Sequence, residues 1–117
     1  MKRIWNALNY SLSGLKAVFK QEAAFRQEAA LSCILIPAIF LLPMPAIFRL
    51  ALVFANILVL ITELLNSAVE AVVDKASPEI HPLAKNAKDF GSAAVLLSLV
   101  NLAICWLFAL LEVKKLF

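Results

Sequence analysis

The longest uncharged stretch of the chain runs from Phe90 to Leu111, with no Asp, Glu, Lys or Arg in it. A helix of about 20 apolar residues is what crosses a bilayer core of about 30 Å. No other feature restricts the fold as strongly. A second uncharged run, Ala29–Phe48, is cut near its end by Pro43 and Pro45. The spanning helix it belongs to therefore begins earlier, near Ala23, and turns at "LLPMPA", with a kink predicted at Pro37. A third run starts near Ala46 and reaches Asp74, interrupted by Arg49, Glu63 and Glu70. Spanning helices at about 23–43, 46–74 and 88–112, with a loop at 75–87, predict an all-α integral-membrane protein of one domain, residues 1–117. Composition agrees: 63% of residues are hydrophobic, 16% are charged, and the mean hydropathy is +0.90. A soluble domain has roughly 25% charged residues.

The segment 1–22 follows another pattern. Ile4, Leu8, Leu12, Leu15 and Phe19 recur at steps of three or four, while Lys2, Arg3, Asn6, Asn9, Ser13 and Lys16 fill the opposite side. This spacing predicts an amphipathic surface helix, apolar face in the acyl boundary and basic face toward headgroups. The alternative is a helix packed on its own bundle. Nothing at the start combines a compact apolar core with a small-residue cleavage site, so the first spanning helix is expected to serve for insertion. Eight basic residues (Lys2, Arg3, Lys16, Lys20, Arg26, Lys75, Lys85, Lys88) fall on one side of this topology and three (Arg49, Lys114, Lys115) on the other. The positive-inside rule then places the N-terminus and the second loop in the cytoplasm. The net charge of +3 flanks apolar runs instead of forming a block, which argues against nucleic acid. Cys33 and Cys105 lie inside apolar stretches without CxxC spacing and read as packing residues.

One polar stripe needs an explanation. In "ITELLNSAVEAVVDK", Glu63, Asn66, Ser67, Glu70 and Asp74 fall within about 100° of one helix face. The segment from Ala46 to Thr62 makes about 25 Å of helix, which puts Glu63 at the cytoplasmic edge of the hydrocarbon. Asp74 reads as a helix-end charge. Glu63 and Asn66 do not, because Leu60, Ile61, Leu64, Leu65 and Val69 around them are still membrane-like, and ionisable groups at membrane depth are functional by default. Glu22, Arg26 and Glu28 reach the same face from "QEAAFRQE", and Lys88, Asp89 and Ser92 from "AKDFGSAAV". Gly91, Ser92, Ala93 and Ala94 read as a close-packing face between helices. His81, flanked by Pro78 and Pro82, reads as a solvated loop residue. Carboxylates hold Mg²⁺ on nucleotide phosphates and a lysine neutralises phosphate oxygens, so phosphoryl transfer to a membrane-borne acceptor fits the set. With Gly14 and Gly91 the only glycines, no Walker or kinase glycine loop is present. A pore lined by the stripe, as in a small channel or transporter subunit, is the other class the spacing leaves open.

"EAAFRQE", "ELLNSAVEAVVD" and "AKDFGSAAVL" closely resemble the signatures of the small prokaryotic diacylglycerol kinase family, in order and over nearly the whole chain. The resemblance implies a homotrimeric inner-membrane helical bundle that phosphorylates diacylglycerol with ATP. Active sites in that family are shared between subunits at the cytoplasmic interface. It further implies Glu63 as the base acting on the lipid hydroxyl, Asn66 as a site organiser, Lys88 on the phosphates, and Glu22 and Glu70 as carboxylates for Mg²⁺. Arg3, Tyr10, Glu79, Ile80, His81 and Asp89 match nucleotide contacts. Ser92, Arg49, Arg3 and the segment around Ser11 match the lipid-facing wall. "SPEIHPLAKNAKD" is more similar to the undecaprenol kinase branch, which leaves a polyprenol acceptor as the alternative.

Overall fold

A computed structural model describes residues 1–116 and contains four helices: α1 (Lys2–Gln21), α2 (Ala23–Leu41), α3 (Ala46–Ala76) and α4 (Pro82–Lys114). α2, α3 and α4 are each long and apolar enough to cross a membrane, which makes the chain a multi-pass membrane protein. α3 and α4 pair as a long hairpin, α2 lies against α3, and α1 packs on α2. The overall dimensions are 56 × 41 × 22 Å. On α1, Ile4, Leu8, Leu12, Leu15 and Phe19 remain exposed, an open apolar face suited to the membrane surface.

A single residue separates α1 from α2. Glu22 is extended (φ −113°, ψ 110°), and Arg26 closes the elbow around it by donating from Nη1 to the carbonyls of Phe19 and Lys20, at 2.9 and 3.0 Å. Those carbonyls belong to the last turn of α1, where intrahelical donors run out. The Phe19 and Phe25 rings meet edge to face at 6.4 Å across the same elbow.

α2 continues through Pro37 to Leu41. Its end is closed from α3: Arg49 donates from Nε to the Ile39 carbonyl (3.2 Å) and from Nη2 to the Leu42 carbonyl (3.0 Å). Here Ile39, Met44, Leu52, Ala109 and Val113 form the larger core cluster, and Ala55, Val59 and Leu102 continue it along the hairpin. Three of the buried polar side chains within the spans, Ser32, Asn56 and Ser98, are hydrogen-bonded. Asn56 Nδ2 donates to Ser32 Oγ at 2.6 Å, Ser32 Oγ donates to the Glu28 carbonyl at 2.7 Å, and the Thr62 and Ser98 hydroxyls are 3.0 Å apart. Such pairs join helices where water cannot serve the polar groups.

α4 begins at Pro82, ahead of the predicted start of its span near Lys88, and the connection from α3 is residues 77–81 rather than 75–87. Pro82 occupies the first helical turn, where its missing N–H costs nothing. His81 Nδ1 accepts from the Leu83 N–H at 3.1 Å. His81, read from sequence as a solvated loop residue, is thus the N-cap of α4, although it stays exposed.

Candidate active site

The charged end of the bundle is built by three pieces: the α1–α2 elbow, the last turns of α3 and the first turns of α4. Glu63 is the one buried ionisable side chain among the described residues, at 8% exposure. Glu28, Glu22 and Glu70 all lie within electrostatic reach of it. Asn66, one turn along α3, donates from Nδ2 to Glu70 Oε1 at 3.3 Å. Its own Oδ1 is buried and has no hydrogen-bond partner among the described residues. The carboxylates expected at a metal thus lie on the same end of the bundle as the carboxylate expected as base. The elbow brings Glu22 in.

Lys88 points back from α4 to α3. Its Nζ sits 2.6 Å from Asp74 Oδ1, and Glu70 is also within reach of its charge. Asp74 is therefore not the free helix-end charge that its position at the end of the stripe suggested. It holds the lysine. One turn earlier on α4, Lys85 pairs with Asp89 at 2.6 Å. A cleft of about 470 Å³ opens beside these pairs, lined by Val73, Asp74, Ser77, Pro78, Glu79, Ile80, His81, Ala84, Lys85 and Lys88. Four residues matched to a nucleotide site (Glu79, Ile80, His81 and Lys88) line it together. Asp89 lies next to it through Lys85.

Other expected residues do not gather here within one chain. Arg3, Tyr10 and Ser11 are exposed on α1, and the step from Arg3 to the Glu22 elbow corresponds to about 28 Å of helix. Ser11 Oγ donates to the Ala7 carbonyl of its own helix, at 3.0 Å. Arg49 lies about 21 Å from Glu63 along α3. Its guanidinium, matched from sequence to the lipid-facing wall, is occupied in closing the end of α2. Ser92 is exposed on α4, beside the contact between Gly91 and Asn66.

Sequence reasoning missed Asp74 as the partner of Lys88, and Lys85 as part of the cleft. The stripe contained Asp74, but its partner is on another helix, and only the hairpin brings them together. Among the described residues, no group of three or more His, Cys, Asp or Glu side chains is placed to hold a metal ion.

The model of the family described as prokaryotic diacylglycerol kinase matches residues 9–110. The chain is 50% identical over 106 residues to the diacylglycerol kinase of Pseudomonas aeruginosa, covering 91% of this chain and 86% of the relative. It is 48% identical over 101 residues to that of Haemophilus influenzae, covering 86% of each. Identity to that of Escherichia coli K12 is 44% over 104 residues, covering 89% of this chain and 85% of the relative. With the match extending from the middle of α1 nearly to the end of α4, the chain belongs to the prokaryotic diacylglycerol kinase family.

Proposed function

We propose that the protein transfers the γ-phosphoryl group of ATP to the free hydroxyl of diacylglycerol, giving phosphatidic acid and ADP. The observation that carries this reading is the position of Glu63. It is a buried carboxylate on the helix whose later turns, from about 15 Å further along, line a cleft that presents Lys88, with Glu70 between them, in a chain of this family. Membership of this family supports a bacterial inner membrane, and the basic asymmetry favours the N-terminus and the α3–α4 connection in the cytoplasm. Glu63 then lies at headgroup level, where the lipid hydroxyl resides.

In this mechanism Glu63 accepts the hydroxyl proton as the lipid oxygen bonds to the γ-phosphorus, while the bond from that phosphorus to the β–γ bridging oxygen breaks and ADP leaves. Lys88 neutralises phosphate oxygens, and Asp74 keeps its ammonium at the cleft. The α3–α4 connection, through Glu79, Ile80 and His81, receives the nucleotide, with Asp89 at its edge. Glu22 and Glu70 suit Mg²⁺, which takes one or two carboxylates from protein and completes its shell with phosphate oxygens and water. When bound, Mg²⁺ supplies charge neutralisation on the transferred phosphoryl. Asn66 orients Glu70. Ser92 faces the acceptor lipid. Arg3, Tyr10 and Ser11, too far along α1 to serve their own chain's Glu63, contact the nucleotide and lipid of a neighbouring subunit in a homotrimer.

Purified protein in mixed micelles with MgATP tests the reading. Diacylglycerol is expected to be phosphorylated faster than undecaprenol, and the reverse order overturns the choice of acceptor. No phosphorylation of either lipid overturns the kinase reading itself.

A further inference from the structure

Resting on the kinase reading above, we infer that Gly91 is a positioning residue: its missing side chain seats the Asn66 amide so that Asn66 can hold the Glu70 carboxylate. A Cβ placed on Gly91 would overlap Asn66 Oδ1 and fall 3.2 Å from Asn66 Cγ. The Asn66 Cα is 3.8 Å away, an ordinary contact. The space that Gly91 leaves is therefore filled by the amide and not by the helix backbone.

The amide has one productive orientation in this seat. With Nδ2 toward Glu70 it donates to Oε1 at 3.3 Å. Turned over, it would set its own oxygen against the carboxylate, acceptor against acceptor. The productive orientation sends Oδ1 into a buried position with no partner among the described residues. Such a group persists only where the surroundings fix it, and here the surroundings include the bare Cα of Gly91. The chain thus accepts an orphaned oxygen on one side of the amide in order to direct the other side at Glu70. In the small-residue run, Ser92, Ala93 and Ala94 are exposed, and Gly91 is the member that seats the amide.

This predicts an unusual variant. In Gly91→Ala, the atom that must move is the end of a side chain, so α3 and α4 keep their packing. Alanine is also the better helix former. Fold stability is unaffected or improved, while Asn66 swings away and Glu70 loses its orienting bond.

The test uses the full chain in detergent micelles, with Mn²⁺ and ATP as probe and manganese EPR as readout, for Gly91→Ala, Asn66→Ala and the double variant. Mn²⁺–ATP affinity is expected to fall about tenfold in Gly91→Ala, the scale of one hydrogen bond to a charged group. The loss in Asn66→Ala is similar, and the double variant binds no worse than Asn66→Ala. The half-saturating Mg²⁺ concentration for phosphorylation moves in the same order, and the thermal transition of Gly91→Ala is not below that of the parent. Unchanged Mn²⁺–ATP binding in Gly91→Ala, or losses that add in the double variant, overturns the inference. So does a lowered thermal transition that persists once Asn66 is alanine, because the glycine then serves helix packing. A parent chain that shows this binding pattern without phosphorylating diacylglycerol overturns the kinase reading and leaves the seat standing.

Discussion

Glu63 and Lys88 differ in how much surrounds them, and their variants are expected to fail differently. Glu63 is 8% exposed, and Gln keeps its shape while removing the proton acceptor. Glu63→Gln is expected to lower turnover by about 10²–10⁴, the range for a lost general base, with the thermal transition in the same micelles preserved. Turnover within a few-fold of the parent would remove Glu63 from the role of base. Lys88 and its partner Asp74 have side chains 44% and 65% exposed, joined at 2.6 Å, and an exposed pair contributes little by itself. Asp74→Asn should therefore raise the KM for ATP only about two- to fivefold, whereas Lys88→Gln, which removes the charge facing the phosphates, should raise it by about tenfold or more. Equal effects in a KM comparison would mean that Asp74 meets the nucleotide directly. At this scale the sequence was legible where periodicity carries the information: Glu63, Asn66 and Glu70 share a helix face, and Asn66 meets Glu70. It was silent on Asp74 with Lys88 and on Gly91 with Asn66, because pairing across a hairpin leaves no mark in the spacing of either segment.

Helix ends in this chain are closed by residues from outside the helix they close. Arg26 closes α1, Arg49 closes α2 and His81 begins α4. The uncharged runs revealed the three spans because hydrocarbon tolerates little else, yet the same runs hid these ends, since an arginine near a headgroup reads first as a lipid contact. Within the spans, Asn56 and Ser32 join α3 to α2 at 2.6 Å. Ser32→Ala removes one partner and leaves a buried amide without its acceptor, which should destabilise the bundle by about 0.6–1.7 kcal/mol, the range for hydrogen bonds between membrane helices. Removing both polar groups, as in Ser32→Ala with Asn56→Leu, should restore most of that stability, because no orphaned donor remains. Unfolding of the two variants in mixed micelles decides the matter. A double variant less stable than Ser32→Ala would mean that Asn56 has a further partner.

At the scale of the whole molecule, the dimensions bear on how a site is completed. The long extent of 56 Å matches α4, whose 33 residues span about 50 Å. The second extent of 41 Å is more than three helices side by side at roughly 10 Å each, so α1 projects beyond the bundle. Arg3 is then carried about 28 Å from its own elbow, and under the proposed homotrimer it would serve the site of an adjacent subunit. In a closed ring, each site would combine Glu63 of one subunit with Arg3 of the next. On the proposed arrangement, neither Glu63→Gln nor Arg3→Gln assemblies would retain a complete site. When the two are unfolded together, mixed in equal amounts and reassembled, a site is complete where an Arg3→Gln subunit supplies Glu63 and its neighbour supplies Arg3, which random assembly gives at about one site in four. Kinase activity is therefore expected to rise from near zero in either parent to about one quarter of the unsubstituted level. Were Arg3 to serve the Glu63 of its own chain, every mixed site would carry one defect and mixing would recover nothing, so the recovered fraction reads out which subunit α1 serves.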